Sequence, residues 1–163
     1  MSAKKHNTPQ KLFVIRTYKS LSQIETVLRH IAQKSNMPLQ LSILGQLTTN
    51  KAITKKELKK IIDDKKQQLS ALLGKQFQFG YFYNPEIGTL FIAGHLTPTF
   101  INKIDERELA SLPTGLIGIF RGMGINTEEI NTYLTELKNE NYCLIIRGES
   151  SVLDTLEPML NVY

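Results

Sequence analysis

Asn84-Pro85-Glu86-Ile87-Gly88-Thr89-Leu90-Phe91-Ile92-Ala93-Gly94-His95-Leu96 is the stretch whose reading decides the fold. Its first five residues carry turn chemistry: asparagine bonds nearby backbone, proline fixes φ, and glycine accepts positive φ. An unbroken apolar run from Leu90 to Ala93 follows and reads as a buried strand. Residues 75–83, just before the turn, alternate. Phe77, Phe79, Tyr81 and Tyr83 fall on one side, and Gln76, Gln78, Gly80 and Phe82 on the other. Period two predicts a strand, and the turn predicts a hairpin of 75–83 with 89–96 that Thr97-Pro98 ends.

Working outward to the C-terminus, Leu109, Leu112, Leu116, Ile119, Phe120 and Met123 recur at helical spacing between Asp105 and about Met123. Pro113 interrupts them, so a kinked helix or two pieces are expected. Gly115, Gly118 and Gly122 lower helix propensity and would let another backbone come close. Asn126, with Glu129 three residues on, caps a helix to about Lys138 whose core face is Ile130, Tyr133, Leu134 and Leu137. Tyr142 to Arg147 reads as a strand, and Ser150 to about Leu160 as a helix.

Working outward to the N-terminus, Thr54-Lys55-Lys56-Glu57 is a capping box opening a helix to about Leu73, with Gly74 as its stop. Leu58, Ile61, Ile62, Leu69, Leu72 and Leu73 form its apolar stripe, and the lysines point mostly away from it. Thr48 to Ile53 reads as a loop. Before it, a strand at Lys11–Tyr18, whose run Leu12 to Ile15 has the pattern of a strand buried on both faces, a helix capped by Ser20 and Gln23, and a strand from Leu39 to Gly45 make a strand-helix-strand unit. Residues 1–10 are polar and read as a flexible tail before one domain, 11–163.

An internal echo links the two ends. Leu12-Phe13-Val14-Ile15-Arg16 precedes a serine-capped helix, and Cys143-Leu144-Ile145-Ile146-Arg147 precedes Ser150-Ser151 and a helix. With strands separated by helices, this predicts an α+β, ferredoxin-like sandwich: a mostly antiparallel sheet with helices packed on one face. The lysine-rich helix, about 54–73, would be an insertion. The hairpin makes five strands where four suffice, so the extra one must lie at an edge or replace the pairing of strand 39–44.

Composition narrows the function classes. The chain has 163 residues, 41% hydrophobic and 21% charged, and no apolar run approaches the roughly 20 residues of a bilayer span. The first ten residues lack the apolar core of a secretion signal, and cytoplasmic location is the expectation. A single cysteine, Cys143, excludes an internal disulfide and a multi-cysteine metal site, and its apolar strand makes it a core residue. Of a net charge of +5, the segment from Lys51 to Lys66 carries +4, with seven lysines against Glu57, Asp63 and Asp64.

The pattern Pro85-x-Ile87-Gly88-x-Leu90-Phe91-Ile92-Ala93-Gly94-x-Leu96 resembles the small bacterial general-stress or low-temperature-induced proteins. So does the succession Gly122-x-Gly124-Ile125-x-x-Glu128-Glu129, Tyr133 and an apolar strand. The resemblance spans roughly Leu12 to Arg147 and rests on glycine and apolar positions. It implies a stress-linked, non-enzymatic role and supplies no catalytic residues. The chain departs from that family in its middle, where the lysine-rich helix stands in place of an alanine- and glycine-rich apolar segment.

No catalytic constellation stands out. Neither His6, His30 nor His95 has a second ligand at metal spacing, so no metal site and no cofactor are expected. His95 follows Ala93-Gly94, where glycine admits another backbone or a ligand. It is the one weak candidate for a cofactor or an acid-base group in a cavity. The glycines at 115, 118, 122 and 124 match no phosphate loop, and Asp63-Asp64 and Glu128-Glu129 point about 100° apart within each pair. Two binding surfaces remain. Lys55, Lys56, Lys59, Lys60 and Lys66 form either a solvated face or a contact for nucleic acid or an anionic surface. Without interleaved arginines or aromatics they argue against base recognition. Phe77, Phe79, Tyr81 and Tyr83 form a core face or an oligomer interface. The leading expectation is a non-enzymatic protein acting by self-association, as a homo-oligomer, or by binding a protein partner.

Overall fold

The computed structural model describes residues 11–34, 38–50, 52–104, 107–112 and 114–161. The expected 1–10 tail lies outside them. One antiparallel sheet organises the described residues. Its strands are β1 (Lys11–Tyr18), β2 (Gln40–Thr48), β3 (Phe79–Asn84), β4 (Gly88–Gly94) and β7 (Tyr142–Glu149), in the order β1-β7-β2-β4-β3. The two-residue strands β5 (Lys103–Ile104) and β6 (Arg107–Glu108) pair separately. Six α-helices are described: α1 (Leu21–Lys34), α2 (Lys55–Leu73), α3 (Thr97–Ile101), α4 (Gly115–Gly122), α5 (Thr127–Lys138) and α6 (Ser150–Leu160). The protein is α+β, an antiparallel sheet with helices packed on it, consistent with the ferredoxin-like expectation.

The expected hairpin forms, with Tyr81 opposite Phe91 and Tyr83 opposite Thr89. The Asn84 carboxamide accepts from the Glu86 and Ile87 amides at 2.9 and 3.2 Å, which is the local bonding that turn asparagines supply. The fifth strand is resolved by placing β3 at the edge. Strand β2 pairs with both β7 and β4, and it runs through Gly45 to Thr48 rather than stopping at the glycine. Gly45 is tolerated mid-strand because the Phe91 and Tyr142 rings occupy the space a Cβ would take.

Helices cover both faces of the sheet, not one. Strand residues alternate between two cores because successive side chains point to opposite faces. Ile15, Leu44, Leu90, Ile92, Cys143 and Ile145 meet α3, α4 and α5. Val14, Ile43, Phe91, Ala93, Leu144 and Ile146 meet α1, α2 and α6. This is why β4 and β7 read as continuous apolar runs: each is buried from both sides.

The internal echo has a structural counterpart. β1 and β7 are antiparallel neighbours, with Val14 opposite Ile146 and Ile15 opposite Ile145. The helix after each strand lands on the same face. The Tyr18 hydroxyl donates to the Leu160 carbonyl at 2.8 Å, tying the end of β1 to the last turn of α6. The caps differ. The Ser20 hydroxyl accepts from the Gln23 amide at 3.2 Å, but α6 has Glu149 at its N-cap with no side-chain cap bond, and Ser150 and Ser151 are already helical.

The region from Asp105 to Met123 departs most from expectation. Among its described residues only α4 is an α-helix. Before it stand β6 and a 3-10 turn at Leu109–Ser111, while Asp105 and Pro113 themselves lie outside the described residues. A proline disfavours helical backbone at the residue before it, so the apolar spacing ahead of Pro113 does not become helix. The short helix α3 begins at Thr97-Pro98, with proline in its first turn where no amide is needed. Gly118 and Gly122 face open space, with no atom within 4 Å of an added Cβ, so neither serves close helix packing.

Candidate functional site

Strand β3 has no strand neighbour on its outer side among the described residues. The Gly94 amide donates to the Gln78 carbonyl at 2.9 Å, in register with the β3–β4 ladder. Antiparallel pairs alternate, so Gly80 and Phe82 occupy the bonded positions towards β4. The backbone groups of Phe79, Tyr81 and Tyr83 then face outward.

The aromatic row divides along its length. Phe77 precedes the strand and, like Phe79, is half-buried; the Phe79 ring stacks on Phe91 with centroids 5.9 Å apart. Tyr81 and Tyr83 are 46% and 41% exposed. The other face of β3 carries Phe82, buried against Phe100, because Gly80 beside it makes room for Ile101. The inner half of the row, Phe77 and Phe79, therefore packs on the core, and its outer half is open surface.

Helix α2 lies over that same face. Its N-terminus is capped as expected: the Thr54 hydroxyl accepts from the Glu57 amide at 3.1 Å and donates to the Glu57 carboxylate at 2.9 Å. Gly74 ends it at φ +87. Leu69 is the one fully buried side chain of the helix, and Leu58, Ile61 and Ile62 are half-buried. Lys55, Lys56, Lys59, Lys60 and Lys66 are exposed. The Lys66 ammonium sits 5.2 Å from the centre of the Phe79 ring. Lysines and aromatics that are ten residues or more apart in sequence thus share one place, where an open pocket of ≈ 380 Å³ is lined by Ile62, Lys66, Phe79, Gly80 and Tyr81. Lys65, absent from the sequence-based set, turns inward. Its ammonium donates to the Tyr142 hydroxyl at 2.8 Å and lies 5.1 Å from the centre of that ring.

His95 lies just past β4 and is exposed. Its amide donates to the Leu41 carbonyl at 3.0 Å, and its Nε2 is 3.4 Å from Arg147 Nη1, a pairing that needs the proton on Nδ1. Arg147 also donates to Gln40 at 3.1 Å and covers the Phe13 ring. His95 borders a second open pocket of ≈ 380 Å³ with Leu39, Leu41, Leu72, Gln76 and Phe77. Among the described residues no carboxylate or nucleophile lines it, and it presents leucines, Phe77 and two glutamines with an imidazole beside them. Gly94 serves another backbone here, that of β2. His30 is exposed on α1, and His6 lies outside the described residues. Among the described residues no three His, Cys, Asp or Glu side chains gather as a metal site, and no helix is long and apolar enough to cross a membrane.

A buried thiol and a half-buried phenol are held protonated. Burial pushes the Cys143 thiol well above its ordinary range, with Glu136 adding to the shift. Desolvation, and then the Glu129 carboxylate, raise the Tyr133 phenol to about 12. Both sit under β1 and β7, away from the lysine-aromatic surface, and neither is a nucleophile at neutral pH.

No family model, curated protein or solved structure matches this chain.

Proposed function

We propose that this protein works by association rather than catalysis, and that the outer edge of β3 is its docking strand. The observation that carries the reading is the open edge itself, whose unpaired backbone groups belong to the residues bearing Tyr81 and Tyr83. An edge strand with outward N–H and C=O groups invites another strand, and a second copy pairing about Tyr81 would join two sheets through an isologous contact. The resemblance to small bacterial stress proteins supports the same reading, of a non-enzymatic, stress-linked protein of the cytoplasm.

Native mass spectrometry of the full chain tests it. A dimer is expected for the wild type. Tyr81→Lys places like charges opposite each other at the contact and should return the monomer mass while leaving the thermal melt unchanged. A monomeric wild type, or a variant that still dimerises, refutes the proposal.

A further inference from the structure

We infer that the groove between α2 and β3 binds single-stranded nucleic acid, its lysines taking phosphates and Tyr81 and Tyr83 stacking bases. The inference does not depend on self-association. It rests on a juxtaposition the sequence separates: the lysine-rich helix runs beside the exposed aromatic half of β3.

The charges of α2 are sorted around its axis. At about 100° per residue, Lys55, Lys59 and Lys66 lie within about 60° of Ile62, the residue that faces the pocket beside Tyr81. Asp63 is turned about 100° from Ile62, and Glu57 and Asp64 about 140° and 160°. Glu57 is further engaged by the Thr54 hydroxyl. Lys56 and Lys60 point about 120° and 160° away. The stripe along the groove is therefore cationic, while the helix as a whole is mixed.

The floor supplies the other half. Tyr81 and Tyr83 are two residues apart on one face, about 7 Å along the strand, and both are open to solvent. Each tyrosine lines an open pocket: ≈ 380 Å³ at Phe79, Gly80 and Tyr81, and ≈ 210 Å³ at Tyr83, Thr89 and Ile53. Lys103 forms the far rim of the first pocket, and Glu108 is the carboxylate in its lining. Aromatic faces beside a cationic rail are the two features that hold unpaired strands without sequence preference. A duplex buries its base faces in its own stack, so it offers the tyrosines nothing to stack on.

The test is fluorescence anisotropy of labelled short oligothymidylate against the full-length protein across a salt series. Three phosphate contacts give a log–log salt slope of about −2, from a coefficient of about −0.7 per phosphate for single strands. Lys59→Gln with Lys66→Gln should cut the slope to about −0.7. Lys56→Gln with Lys60→Gln removes the same charge from the far side of the helix and should leave the slope in place. Tyr81→Ser with Tyr83→Ser should keep the slope and lower affinity by roughly tenfold or more. Polyglutamate of equal charge should bind at least tenfold more weakly than the oligonucleotide. The inference is overturned by absent binding at low salt, by equal effects of the two lysine pairs, by an inert tyrosine pair, or by polyglutamate binding as well as the oligonucleotide.

Discussion

Replacing Gly94 with alanine should cost this fold about 3–5 kcal/mol, although it adds only one methyl group. Gly94 ends β4 at φ +109, where residues with a Cβ are strained. A Cβ there would run into the Leu41 carbonyl oxygen and lie 3.0 Å from Ser42 Cα. Both obstacles are backbone of the neighbouring strand, so no side chain can swing aside to make room. Relief would require the ends of β2 and β4 to part. Two hydrogen bonds cross that junction: the His95 amide to Leu41 at 3.0 Å and the Leu96 amide to the buried Ser42 hydroxyl at 2.8 Å. Backbone strain contributes about 1–3 kcal/mol, and each loosened bond about 1 kcal/mol. Against a domain stability of about 5–15 kcal/mol, the variant should remain folded but much weakened. Gly118→Ala is the matched comparison. That glycine is exposed inside α4 with nothing near its would-be Cβ, so the methyl should add about 0.5–1 kcal/mol through helix propensity. Urea denaturation followed by far-UV circular dichroism should move the two midpoints in opposite directions. A Gly94→Ala variant within about 1 kcal/mol of wild type would refute the close approach of β2 as the reason for this glycine.

Leu69→Ala removes the one fully buried anchor of α2 and should cost about 2–4 kcal/mol, with amide exchange across residues 55–73 accelerating before the sheet does. Asn126→Ala deletes the acceptor of the Glu129 amide, 2.9 Å away, and should lose about 1 kcal/mol in chemical denaturation, while Asn126→Ser restores most of it. Stability should also fall in alkali. The folded Cys143 holds its proton above the unfolded value, so its contribution is whole below about pH 9 and declines above it, by at most about 1.4 kcal/mol per pH unit. Tyr133, partly solvated, adds a smaller decline above about pH 10. Cys143→Ala should flatten the first part of that curve in denaturation series from pH 8 to 11.

Strands and capped helices were legible because their signals are local. Thr54 with Glu57, Asn126 with Glu129, and the apolar runs at 90–93 and 143–146 each state their own geometry within a few residues. The run Leu12 to Ile15 also read as a strand covered twice, and Ile15 and Val14 do enter opposite cores. Combined with the expectation of helices on one face, that was an inconsistency the structure settles in favour of the run. The segment before Pro113 misled because leucines at helical spacing can equally line a 3-10 turn when the next proline forbids helix. Strand β3 was legible as a strand but only in part in its facing. The four aromatics mark one face, of which Phe77 and Phe79 pack on the core, but the burial of Phe82 on the other face depends on Phe100 and Ile101 arriving from α3, eighteen residues or more downstream. The lysine-aromatic surface was legible as two separate halves. Nothing in the spacing of residues 55–83 says that Lys66 folds back over Phe79.

Lys65 shows why the charge of α2 cannot be treated as one quantity. Its neighbour Lys66 is exposed, yet Lys65 is half-buried, bonded to the Tyr142 hydroxyl and within 5.9 Å of the Phe91 ring centre as well. A cation over two aromatic faces is worth about 0.5–1 kcal/mol or more as desolvation increases, and the alkyl stem packs where a shorter residue would leave a gap. Lys65 therefore ties the helix to the sheet, and the remaining lysines stay in water. Any substitution that included Lys65 would loosen α2 from β4 and β7, and lost binding would then report lost structure. Sparing it, and exchanging Lys59 and Lys66 against Lys56 and Lys60 at constant net charge, leaves only the direction of the charge as the variable.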